Sequence, residues 1–198
     1  MKHTNHYKTM NLKGSISICS LLFFTIWSLQ AQEVGKSVTK ISSIKMGVLG
    51  FGYSQEYAIG KITTINFELG FLTGSVGNKN GAFDNSWDWS LPLAARVEPR
   101  VYYNLIRRSE KGKNTQYNSS DFIGLAVTYS SGTSIGNLTA NPQLSFIPQW
   151  GIRRQISPRF YFEPSIGYGI VYVLSPKLSE GWTDQIILNL KFGLLLNR

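Results

Sequence analysis

Arg159-Phe160-Tyr161-Phe162-Glu163-Pro164-Ser165-Ile166-Gly167-Tyr168-Gly169-Ile170-Val171-Tyr172 sets Phe160, Phe162, Pro164, Ile166, Tyr168, Ile170 and Tyr172 on one parity, against Arg159, Tyr161, Glu163, Ser165, Gly167 and Gly169 on the other. Period two with unlike faces is the mark of a β-strand between two different environments. The pattern recurs in Thr63 to Leu72, Ala95 to Leu105, Asp121 to Tyr129, Leu144 to Arg153 and the terminal Gln185 to Leu196, while no stretch after residue 32 carries a sustained helical stripe. The chain therefore reads as all-β.

Which parity is enclosed by protein decides the architecture. The apolar parity is long and heavily aromatic. The other mixes glycine and small residues with Glu68, Arg96, Glu98, Arg100, Arg153, Glu163 and Lys191, in nearly balanced sign. Paired charges and glycines suit the crowded interior of a small barrel, and an unbroken apolar band suits lipid. The expectation is a single antiparallel up-and-down transmembrane β-barrel. Counting back from the last strand gives seven clear strands, and an even barrel takes its eighth from Val38 to Gly47.

Composition agrees. Of 198 residues 16% are charged and 13% aromatic, with 19 glycines and a formal net charge of +9, and the mean hydropathy of -0.09 is too low for a bundle of membrane helices. Residues 1–31 read as a secretory signal peptide, with Lys2, Lys8 and Lys13, the apolar run Ile16 to Leu29 and a small Ala31 before the cut. Residues 32–198 are then the barrel domain. Cys19, His3 and His6 all lie in the removed segment, so the mature chain has no cysteine or histidine for a nucleophile, a general base or a zinc site, and no cofactor is expected.

The turns Ala58 to Lys61 and Gln155 to Pro158, with a basic one around Arg107 to Ser119, read as short. Ser75 to Leu93, Thr133 to Gln143 and Leu174 to Thr183 read as longer loops. Short periplasmic turns and longer outside loops place the C-terminus in the periplasm. Pro99, Pro148 and Pro164 fall inside proposed strands and predict bulges or strand ends.

Glu98 with Arg100, and Arg153 with Glu163, are placed to form an ion-pair network inside the barrel, joined on the same parity by Glu56, Glu68, Arg96 and Lys191. Glu56 and Glu68 flank one hairpin and could work as an acid pair, but arginines nearby favour pairing. Lys191, Gly193 and Leu196 match the terminal assembly signal of outer-membrane barrels, with Arg198 where an aromatic is expected. Trp87 and Trp89 could stack a sugar or sit as interface anchors. Val97 to Arg108, Gly112 to Thr115, Asn118 to Ser120, Trp150 to Arg154 and Phe162-Glu163 together resemble the uncharacterised outer-membrane β-barrel proteins of Bacteroidetes. That resemblance covers most of the mature chain and implies an outer-membrane location, but no activity.

The function expected is a small outer-membrane barrel, similar in kind to the OmpA-like barrels, with a structural or surface-interaction role, a lumen filled by side chains and no catalysis. An accessory subunit of an envelope secretion or transport complex is the alternative, and a soluble lipocalin-like binder a further one. An outer-membrane enzyme is disfavoured by the missing histidine. The expected partners are outer-membrane lipid, the barrel-assembly machinery during biogenesis and an unidentified envelope protein. No phosphate loop, metal spacing or nucleic-acid module is present.

Overall fold

In the computed structural model the described residues are 37–47, 50–72, 75–77, 88–136, 141–174 and 181–196. Residues 1–31, where a signal peptide is expected, and Trp87 lie outside them. Ten strands among these residues form one antiparallel sheet: β1 (Ile41–Gly47), β2 (Gly50–Ala58), β3 (Thr63–Phe71), β4 (Ser75–Gly77), β5 (Asp88–Val101), β6 (Asp121–Gly136), β7 (Gln143–Ile152), β8 (Arg154–Gln155), β9 (Phe160–Val173) and β10 (Gly181–Leu195). Eight follow one another as β10-β1-β2-β3-β5-β6-β7-β9, and β9 pairs again with β10, which closes them into a ring. The short β4 lies against β5 and β8 against β9. The segment expected to supply the eighth strand does so as β1, paired with both β2 and β10.

The ring is strongly sheared. Starting at Leu195 of β10 and stepping between partners through Ser43, Ser54, Glu68, Arg96, Thr128, Ser145 and Val171 leads back to β10 at Thr183, twelve residues from the start. With ordinary strand spacing and rise, that shear tilts eight strands by about 45° and opens the ring to a radius of about 9 Å, against about 7 Å at a shear of eight.

The parities fall as the alternation requires. Along β3, Thr64, Asn66 and Glu68 are buried while Phe67 and Leu69 are exposed; along β9, Tyr161 and Glu163 are buried while Phe160, Ile166 and Tyr168 are exposed. Aromatic and aliphatic side chains thus cover the outside, and the charged parity is enclosed.

Three expectations are corrected. The basic connection after β5 is not a short turn, because the strand ends at Val101 instead of Leu105 and residues 102–120 fold into a helix α1 (Leu105–Glu110) and a 3-10 turn (Gln116–Asn118). Leu105 points inward and packs with Tyr102, Phe122 and Val38. β6 also runs on to Gly136, so only residues 137–142 separate it from β7. The contrast in connection length is smaller than the sequence suggests. The three prolines cause no bulge either: Pro99, Pro148 and Pro164 stay in register with Ile65, Leu125 and Leu190. Each instead stands where the ladder on its other side is interrupted, as a residue without an N–H must. Among the described residues the one register shift lies at Pro92/Ala94.

Candidate functional site: the enclosed ion-pair network

Four carboxylates and five cations from six strands and one connection meet inside the ring. Around Arg100 the geometry is tightest. Its Nε and Nη2 donate to the two oxygens of Glu98, both at 2.8 Å, and its Nη1 and Nη2 donate to Glu163 at 3.0 and 2.9 Å. The guanidinium lies over the Phe122 ring at 4.3 Å. Two parallel hydrogen bonds to each carboxylate use the planar fork of arginine fully. Gln149 donates a further hydrogen bond to Glu98.

Arg153 continues the chain of charges. Its Nε donates to Glu163 at 2.7 Å and its Nη1 to Glu56 at 2.7 Å, and it is flanked by the rings of Tyr161 and Tyr102, 4.8 and 5.7 Å away. Glu56 also accepts from the hydroxyls of Tyr102 (2.8 Å) and Thr64 (2.7 Å) and from the amide of Asn118 (3.2 Å). Asn118 holds a left-handed backbone (φ 58°) after Tyr117 (φ 51°). Its Oδ1 accepts from the Thr39 N–H and its Nδ2 donates to the Thr39 carbonyl. The strained turn is thereby stitched to the segment entering β1, and this end of the ring is capped.

Toward the other end, Lys45 reaches both Glu163 (3.6 Å) and Glu68 (3.8 Å), Lys191 donates to both oxygens of Glu68 at 3.0 Å, and Arg96 approaches Glu68 at 3.8 Å while donating to the Thr128 hydroxyl at 2.9 Å. All nine charged side chains therefore belong to one connected network. Eight are buried, and Lys191 keeps only 13% of its side chain exposed. Every carboxylate has a cation against it, which is the condition under which buried charges are tolerated.

The structure brings together all eight network residues named from the sequence. Lys45 was missed, although it shares its parity with Ile41, Ser43 and Gly47. Tyr102, Tyr161 and Asn118 were also missed. Tyr161 lies over Gly193, where a methyl group would overlap its ring, and Phe122 covers Gly151 in the same way. Lys191 and Gly193 lie on the inner parity and Leu196 is exposed, so the three residues expected to form a terminal assembly signal do not share a face. Trp89 is exposed on β5. Lys61, Arg107, Lys111 and Lys113 are exposed at the capped end. Among the described residues no group of His, Cys, Asp or Glu is placed to hold a metal ion, and no helix is long and apolar enough to cross a membrane. No protein-family model, curated protein or solved structure matches the chain.

Proposed function

We propose that this chain is a small outer-membrane β-barrel of the Bacteroidetes type, exported by its N-terminal signal peptide, with a structural or surface-interaction role and no catalysis. The observation that carries the proposal is the inverted distribution of polarity. Eight ionised side chains are buried inside the ring, while Met46, Leu69, Tyr168, Ile186 and Leu188 are among many large apolar residues more than half exposed outside it. In water that arrangement would expose far more contiguous apolar surface than a monomeric soluble domain carries. In a bilayer it is the arrangement the solvent requires, since strands closed on themselves satisfy the backbone and the outward parity faces hydrocarbon.

A lipocalin-like binder needs an apolar inner face, and the charged one opposes that reading. The network also argues against a pore and against acid–base catalysis, because its carboxylates are held by cations and withdrawn from solvent. Envelope fractionation followed by gel migration with and without heating tests the reading. The folded protein should sediment with outer membranes, resist carbonate extraction and migrate differently after boiling. A monodisperse, detergent-free soluble protein would refute it, and a large steady conductance in planar bilayers would refute the filled interior.

A further inference from the structure

The outward parity of β10 is apolar without a break from Ile186 to Leu196, and the next outward residue above it is Asp184. Ten residue steps of about 3.3 Å, inclined by about 45°, make a band about 23 Å tall, close to the ~25 Å of a membrane barrel. Its lower margin can be followed from strand to strand. The Leu195 N–H donates to the Arg159 carbonyl at 2.8 Å, the Leu196 N–H to the Ser42 carbonyl at 2.8 Å, and the Val38 N–H to the Lys61 carbonyl at 2.9 Å. This arc of the capped end therefore bears Arg159 just before β9, Lys40 just before β1 and Lys61 between β2 and β3, all exposed. Lys40 lies over the Tyr57 ring at 5.0 Å. Ile59 and Ile156, in the turns that bear Lys61 and Arg159, are 59% and 62% exposed. Among the described residues the arc carries no exposed acid, because Glu56 and Glu163 are enclosed. At the opposite end the described residues include Asp88 and Asp184 and no lysine or arginine, so the bases are not an even dressing of the surface.

We propose that the arc of Lys40, Lys61 and Arg159 binds the phosphate groups of anionic phospholipids in the adjoining leaflet, with Ile59 and Ile156 entering the boundary between headgroups and acyl chains. Each of the two turns joins an apolar tip to a base two or three residues further on. Water suits the base but not the tip, and hydrocarbon suits the tip but not the base. A surface with hydrocarbon beneath and phosphate above accommodates both. Long basic side chains reach such a surface while their methylene stems lie on apolar neighbours, as Lys40 does on Tyr57. The guanidinium of Arg159 adds the fork that fits phosphate oxygens in pairs. The inference rests on the outer-membrane reading above and adds to it a headgroup chemistry and a place on the rim.

The test uses the protein purified from envelopes and inserted into phosphatidylcholine vesicles, where the heat-sensitive gel shift reports insertion. Spin-labelled phosphatidylglycerol should be preferred to spin-labelled phosphatidylcholine at the protein surface by about fivefold in about 0.01 M salt and hardly at all in about 1 M, as the screening length falls from about 30 Å to about 3 Å. Lys40→Gln with Lys61→Gln and Arg159→Gln should abolish the preference. Arg107→Gln with Lys111→Gln and Lys113→Gln, on the connection outside the arc, should keep it. A fluorophore on Ile59→Cys or Ile156→Cys, each with Cys19→Ala, should be quenched by lipids brominated near the headgroup end of their chains, and one on Lys113→Cys should not. In intact envelopes a benzophenone on Ile59→Cys should label phospholipid. An inserted protein without the preference, a preference kept by the first triple variant or lost with the second, labels at 59 and 156 out of reach of bromine, or a protein labelled in place of lipid would each overturn the proposal. A chain that does not insert fails earlier, at the gel shift, and takes the outer-membrane reading with it.

Discussion

Replacing Arg100 by methionine tests whether the enclosed network holds the ring closed. The substitution removes four charge-assisted hydrogen bonds, two to Glu98 and two to Glu163. Its two partners are affected unequally. Glu163 keeps Arg153 at 2.6 Å and Lys45 at 3.6 Å, whereas Glu98 keeps only the Gln149 amide among the contacts described above. A buried carboxylate stranded in this way costs about 3–5 kcal/mol, and loss of the guanidinium from the Phe122 face adds up to about 2 kcal/mol. Glu98→Gln alone leaves Arg100 on Glu163 and should cost about 1.5–3 kcal/mol, the range for hydrogen bonds to charged groups. The double variant removes the stranded charge, so it should be more stable than Arg100→Met alone by about 1–3 kcal/mol, a coupling of the size seen between contacting residues. Urea unfolding in lipid vesicles, followed by the heat-sensitive gel shift, measures all four proteins. Simple additivity of the two single losses, or an Arg100→Met protein as stable as the parent, would refute the network as a stabilising unit.

Three further outcomes are expected. Gly193→Ala drives a methyl group into the Tyr161 ring and should lower stability by about 1–3 kcal/mol, the range for overpacking, with partial recovery on adding Tyr161→Ala; equal melting of parent and variant would sink that account. Cysteines placed at Ser86 and at Lys111 and labelled on whole cells with an impermeant maleimide should react at Ser86 only, because the capped end, where β1 begins and β10 finishes, is expected in the periplasm; labelling at Lys111 alone means the reverse orientation. Mass spectrometry of the envelope protein should find a chain beginning near Gln32, and an intact Cys19 there would contradict removal of the signal.

What the sequence made legible is the face each strand residue occupies. From Thr63 onward the alternation distinguishes Glu68, Arg96, Glu98, Arg100, Arg153 and Glu163 from their apolar neighbours without any knowledge of pairing, because parity is a local property. Lys45 was harder to see because β1 is short and its alternation breaks at the turn into β2. Residues 102–120 were illegible for a different reason. A six-residue helix is too short to display a period, and Asn118 is placed by two left-handed residues that no pattern announces. Shear was illegible altogether, since it depends on how eight registers add up, and no single segment records that sum.

The shear nevertheless accounts for the residue types that parity could only place. A ring of about 9 Å radius cannot be filled by alanine and valine reaching in from its wall. Arginine, lysine, glutamate and tyrosine are long enough to meet near the axis, as the contacts of Arg100 with Glu163 and of Arg153 with Glu56 demonstrate. Once such chains meet in an enclosed space their charges must alternate, and glycines are needed wherever a ring such as Tyr161 or Phe122 lies flat on the opposing strand. The charged parity is on this view a consequence of the wide, tilted ring, and a stabilising role for it follows from geometry before any function is assigned.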